Sequence, residues 1–324
     1  MEPIRIPNIR FNSELASTII ELERVRARLH QHTRTDPPLY DDLRKLFQNL
    51  SNIMSARIEG NRTTVLDALQ GVREGQSHDE GVQEILNLEK ASAYIDEAVT
   101  EEFIFTEMFI RELHALAVSG LDREGDTTPG SYRSTEVRIA QTAHRPPGPE
   151  SVPADMRELV EFMNESMSPQ YHLLQVAIVH HRFVWIHPFG NGNGRVSRLL
   201  TYAMLVKLGF TSASGYRALN PTVVFGSDRQ AYYEHLSIAD SLRDEDIEKW
   251  CLYVLHGVAS DMKNILDLSS SAFVLNELYG PALEKAYDEA LLTGKEVAVL
   301  LKIADSGEVS AGDVKDLLPG SSAV

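Results

Sequence analysis

Only one of the 324 residues is cysteine, Cys251. No disulfide can form within the chain, and a reducing, cytoplasmic location is expected. Flanked by Trp250 and Leu252, the thiol reads as a core residue. No apolar run approaches the roughly 20 residues of a membrane span. Met1-Glu2-Pro3-Ile4-Arg5 also lacks the basic and apolar segments of a secretory leader. Basic residues are scarce: 31 Lys and Arg face 47 Asp and Glu, a formal charge of −16. That balance opposes binding of nucleic acid or an anionic membrane by the chain as a whole. Neither an H-E-x-x-H nor a C-x-x-C spacing occurs, so zinc chemistry is not expected. Internal repeats and low-complexity tracts are missing too. What remains is a chain long enough for a packed core and two or three domains.

The most informative segment is His187-Pro188-Phe189-Gly190-Asn191-Gly192-Asn193-Gly194-Arg195, with Arg198 three residues on. Its glycines permit the positive-φ turns that aim backbone N–H groups at one anion. Residues 195–209 carry helical apolar spacing at Val196, Leu199, Leu200, Ala203, Met204 and Val206. The turn therefore feeds a helix N-terminus, which favours phosphate. Arg195 and Arg198 share a face there, and guanidinium forks suit phosphate oxygens. The preceding run, 171–186, is apolar almost all round and predicts a buried central helix. His187 leaves its end as a candidate general base for a hydroxyl.

Upstream, Leu43, Leu46, Phe47, Leu50, Ile53, Met54 and Ile58 form an amphipathic stripe that Gly60-Asn61 stops. Glu59 then falls at the negative end of that helix dipole, against local preference. Between the two motifs, Glu136-Val137-Arg138-Ile139-Ala140 alternates as a short strand would. A strand edge there could take up a target segment by main-chain pairing. Residues 154–166, 63–70 and 81–98 also read as helical.

The central segment resembles the active-site motif of the Fic family, H-P-F-x-[DE]-G-N-G-R-x-x-R, departing from it at Asn191. The resemblance covers roughly residues 40–265. It implies an all-α fold, a helical bundle around a buried central helix with one small β-hairpin flap. It also implies transfer of AMP from ATP to a Ser, Thr or Tyr hydroxyl of a target protein. By resemblance, His187 is the base and Phe189 the core anchor of the loop. Gly192, Asn193 and Gly194 hold the α- and β-phosphates, Arg195 also binds the β-phosphate region, and Arg198 reaches the γ-phosphate. Asn191 stands where the family carries a carboxylate for Mg²⁺, and a neutral amide is a weaker ligand for that ion. The residues Val137, Arg138 and Ile139 correspond to the flap that presents the target. Tyr232 and Tyr233, within 229–236, lie in a segment that in the family is near the adenine.

The string Ser55-Ala56-Arg57-Ile58-Glu59-Gly60 resembles the family's inhibitory motif, [ST]-x-x-x-E-[GN]. It pairs Glu59 with Arg198 and predicts a self-inhibited adenylyltransferase of the N-terminal-helix class. Two alternatives are a deadenylylase, in which Glu59 orients a water, and a catalytically weak nucleotide-binding regulator. The expected ligands are ATP and Mg²⁺, the expected partner is a target protein, and self-modification and a homodimer are compatible with this reading. The expected domains are residues 1–98 with the inhibitory helix, 99–266 as catalytic core, and 267–324 as a helical appendage. Within the appendage, 294–318 predicts two short helices, with Ser310 capping the second. Gly320-Ser321-Ser322 would turn into a third, as in a winged helix, but the chain stops at Val324. An incomplete unit that does not bind DNA is expected.

Overall fold

The computed structural model describes residues 3–29, 38–75, 77–123, 125–139, 144–210, 225–226, 228–268, 274–306, 309–310 and 312–317. Among them it is helical throughout, without strands. The first five helices are α1 (Glu14–Leu29), α2 (Pro38–Ile58), α3 (Val65–Glu74), α4 (Glu80–Ala98) and α5 (Glu107–Ala117). Next come α6 (Val152–Asn164), α7 (His172–Ile186), α8 (Asn193–Lys207), α9 (Arg229–Ala239) and α10 (Asp244–Leu268). The chain continues with α11 (Gly280–Asp288) and α12 (Gly294–Ser306). Side chains set several starts: Thr64, Asp79, Thr106 and Asp228 each accept from an N–H in the first turn of α3, α4, α5 and α9.

Helix α7 is the axis. Leu173, Val176, Ala177, Ile178, Val179 and Phe183 are buried on every side of it, against α6, α8 and α10. Helix α8 packs on α7 and touches α5, α4 and α2 on its other faces. Helix α1 lies along α10, so Leu15, Ile19, Leu22 and Val25 join the same core. Trp250 of α10 donates its indole N–H to Ala177 O at 2.7 Å, which satisfies the one polar atom of a fully buried ring. Cys251 beside it is buried, which pushes its thiol pKa up. None of the helices in the described residues is long and apolar enough to cross a membrane.

Two expectations from the sequence are corrected here. Residues Glu136–Ile139 run without a ladder partner, and Ala140 lies outside the described residues, so no hairpin forms among those described. Alternation over four residues cannot hold a strand that has nothing to pair with. In the appendage, the second expected helix is a single 3₁₀ turn, Lys315–Leu317, while Ser310 binds Asp313 through both its N–H and hydroxyl. Residues 318–324, including Gly320-Ser321-Ser322, lie outside the described residues.

Candidate active site

Helix α7 ends on His187, whose backbone is left-handed, with φ of 51°. This conformation is rare for a residue with a Cβ, and it swings the chain from the core helix into the motif loop. Arg133 clamps the exit: its Nε donates to His187 O at 2.7 Å, and its N–H donates to Pro188 O at 2.9 Å. A cation on the last carbonyls of a helix also offsets the negative end of the dipole.

Phe189 is wholly buried and stacks parallel on His114 of α5, with ring centroids 3.7 Å apart. Asn193 spends its amide on the loop, accepting from Phe189 N and donating to Phe189 O, both at 2.9 Å. It is 2% exposed, and its side chain braces the loop from within. His114 accepts from Gly130 N at 2.9 Å through Nδ1, which leaves Nε2 to donate to Asn191 O at 3.1 Å. Burial lowers its pKa to about 4, so this neutral tautomer persists at physiological pH. Asp126 completes the brace, accepting from Asn191 N at 3.0 Å.

Asn191 is committed as well. Its Oδ1 accepts from Gly192 N at 2.7 Å and its Nδ2 donates to Gly125 O at 3.3 Å. Both ends of the amide hold the turn, and no group of three His, Cys, Asp or Glu among the described residues could hold a metal. Oδ1 keeps a second lone pair beyond the bond from Gly192 N. Gly192 caps α8 with φ of 75°, where a Cβ would also meet Val118 at 2.8 Å.

Arg198 lies one turn into α8 and is 1% exposed. Its Nε donates to Ser55 Oγ at 2.8 Å and its Nη2 to Ser55 O at 3.1 Å and Glu59 Oε1 at 2.8 Å. Helix α2 stops at Ile58, and Glu59 follows in a turn closed by Gly60 at φ of 102°. The Glu59 carboxylate reaches over the start of α8: a Cβ on Gly194 would lie 2.2 Å from Oε1. Burial works against ionising Glu59, but Arg198, with Arg195 and Arg229 behind it, outweighs that and lowers its pKa. Arg198 Nη1 is buried with no hydrogen-bond partner among the described residues, 3.1 Å from the same Gly194 position. The place where α8 presents its positive end holds an internal carboxylate and a buried guanidinium donor.

Residues 104–205 match the family model described as Fic/DOC family. That stretch resembles a Fic/DOC domain. It is 32% identical over 194 residues to the protein adenylyltransferase Fic of Drosophila grimshawi, covering 57% of this chain and 37% of that protein. The corresponding Drosophila melanogaster protein is 31% identical over the same length. The match thus spans little more than a third of these relatives. In fold, the chain resembles a Fic family protein of Desulfovibrio desulfuricans, at a TM-score of 0.65 and 22% identity, covering 98% of this chain and 87% of that one. It also resembles a Fic domain protein of Bacteroides thetaiotaomicron, at a TM-score of 0.63 and 21% identity, covering 77% and 96%.

His187 has a defined tautomer and charge. The contact of His187 Nδ1 with Val184 O, at 3.3 Å, requires the proton on Nδ1, because a carbonyl can only accept. Nε2 then carries the lone pair. Burial, reinforced by the Arg133 cation, lowers the His187 pKa to about 4, so the ring is neutral at pH 7. The other motif arginine is held from the side of α4 and α5. Arg195 is 1% exposed, and its Nη1 contacts Glu84 Oε1 of α4 at 3.1 Å and Ala117 O at 3.5 Å. Tyr232 is 2% exposed, packs on Phe225 and Trp250 and binds His180 Nε2 at 2.9 Å. Tyr233 is 38% exposed under the Arg229 guanidinium and feels the charges of Glu59 and Arg198. Val137 and Ile139 are half-buried and Arg138 is exposed, in the segment that leaves the Arg133 clamp.

Sequence reasoning missed His114, Asp126, Glu84 and Asn61. Glu84 alone carried a signal, a carboxylate amid Val82, Ile85, Leu86 and Leu88 on the apolar face of α4.

Proposed function

We propose that this chain transfers AMP from ATP to a hydroxyl of a protein, and that Glu59 holds the reaction in check. The observation that carries the reading is the Glu59 carboxylate on Arg198 at the start of α8, beside a neutral His187. The hydroxyl oxygen attacks the α-phosphorus while its proton passes to His187 Nε2. The bond from that phosphorus to the bridging oxygen breaks, and pyrophosphate leaves. Backbone N–H groups at Asn193 and Gly194, in the first turn of α8, face the negative charge that builds there, while the N–H of Gly192 is held by Asn191 Oδ1. Arg198, released from Glu59, binds the far phosphate through a guanidinium that already has one unused donor. Mg²⁺ would arrive with the nucleotide phosphates and water, a common mode for this ion, since the Asn191 amide is engaged within the loop. The acceptor hydroxyl belongs to a target protein or to the chain itself, and the cytoplasm is the compartment we assign.

Intact-mass spectrometry of wild type and Glu59→Gly after incubation with ATP and Mg²⁺ tests this. One added AMP in the variant, weak or absent in wild type, is the expected result. If the variant binds ATP but gains no mass and modifies no protein, the transfer reading is wrong and a nucleotide-binding regulator takes its place.

A further inference from the structure

Glu84 is 3% exposed on its side chain, and Arg195 is 1% exposed. A buried pair of this kind is tolerable only when further hydrogen bonds satisfy the remaining donors and acceptors. The second carboxylate oxygen of Glu84 accepts from Asn61 Nδ2 at 2.8 Å. That same amide also donates to Gly81 O at 2.9 Å, and its Oδ1 accepts from Thr63 N at 2.8 Å. The backbone N–H of Asn61 in turn donates to Ala56 O, closing the end of α2. A Cβ on Gly81 would meet Thr63 Oγ1 at 2.4 Å and Asn61 Oδ1 at 3.3 Å, so the start of α4 is shaped around this turn. On the other side, Arg195 Nη2 lies 3.6 Å from the Cβ position of Gly192, beneath the loop that caps α8.

We infer, on the adenylyl-transfer reading, that Glu84 is a positioning residue for Arg195 and that Asn61 ties it to the turn ending α2. Glu84 pairs with Arg195 and keeps it under the phosphate-facing turn, so the motif loop holds its shape. Glu59 and Asn61 lie two residues apart on one turn. That turn therefore sets both arginines of the motif, Arg198 directly and Arg195 through Glu84. Displacing it to release Arg198 also loosens the hold on Arg195.

The test uses Glu59→Gly as parent, with Glu84→Gln, Glu84→Asp and Asn61→Ala added separately, and Glu84→Gln and Asn61→Ala also combined. ATP affinity by calorimetry and AMP transfer kinetics are both measured. Glu84→Gln is expected to raise Kd and KM for ATP about tenfold while kcat changes far less, the pattern of lost ground-state binding. Glu84→Asp, which keeps the charge, should recover part of that loss. Asn61→Ala should shift KM in the same direction by less, and add little on top of Glu84→Gln, because both act on one network. Unchanged or tighter ATP binding in Glu84→Gln, with transfer intact in the parent, overturns the inference alone. If Glu84→Gln does not fold, Asn61→Ala decides, and an unaltered KM there overturns it. A parent that neither binds ATP nor transfers AMP overturns the functional reading, and the inference with it.

Discussion

In a Glu59→Gly variant, Arg198 keeps its buried place but loses the carboxylate 2.8 Å from its Nη2. Removing one partner of a fully buried pair costs about 3–5 kcal/mol. Here Glu59 is 26% exposed on its side chain, and Ser55 still binds the guanidinium through Oγ and O. A cost of about 2 kcal/mol is therefore expected. For a cooperative unit of this size, that lowers Tm by about 4–8 °C. The same substitution opens the anion seat over α8. A ligand at 100 times its Kd contributes about 2.7 kcal/mol, so saturating ATP should raise the variant's Tm by as much as the substitution lowered it. Wild type, with its carboxylate in the seat, should shift less. The Glu59 pKa lies below its ordinary value of 4.5, so its contribution is complete above that value and is lost as pH falls through the lower folded value. The gap in Tm between the two proteins should thus persist from neutral pH to about 4.5 and close below it. Thermal melts with and without ATP across that range are the assay. Equal Tm without nucleotide, or equal shifts with it, would refute the reasoning.

The pH dependence of transfer offers a second check. With the His187 pKa lowered to about 4, the base is already deprotonated in weak acid. The rate in Glu59→Gly should stay level from about pH 5 to 8, and a fall centred near 6.5, the ordinary histidine value, would show a ring in open solvent. Loss of the Glu59 charge, which holds that pKa up, pushes the limb lower still. For the loop, Asn193→Asp removes the donor to Phe189 O and sets a carboxylate against that carbonyl. Losing the bond and leaving the buried carbonyl unsatisfied should cost about 2 kcal/mol even without nucleotide. Urea unfolding reads this directly, and an unchanged midpoint with weaker ATP binding would return Asn193 to the phosphates.

The two ends of the site were legible because each is written locally. The glycine turn, the helix it feeds and the apolar run before His187 follow from spacing within about twenty residues of sequence. The contact between Glu59 and Arg198 joins residues 139 apart, and the inhibitory motif alone suggested it. His114, Asp126 and Asn61 act through hydrogen bonds to backbone atoms of distant loops, which leave no mark on residue type or periodicity. The contacts of Asn193 with Phe189 and of Arg195 with Glu84 and Ala117 were not legible either, since spacing near a glycine turn does not report which side of the turn a polar group occupies. The surroundings of Tyr232 are set by tertiary packing, since an aromatic at a helical position first meets its neighbours in the core. Among the described residues, 136–139 form no strand, for want of a partner rather than of pattern.

Glu59 belongs to the same polypeptide as the arginine it occupies. Its local concentration is therefore fixed by the geometry of α2 and does not fall on dilution or rise with expression. On the adenylyl-transfer reading, tenfold more protein would give tenfold more molecules with the seat filled, and a nucleotide would have to outcompete a tethered carboxylate. Moving the end of α2 away from α8 would then empty the seat.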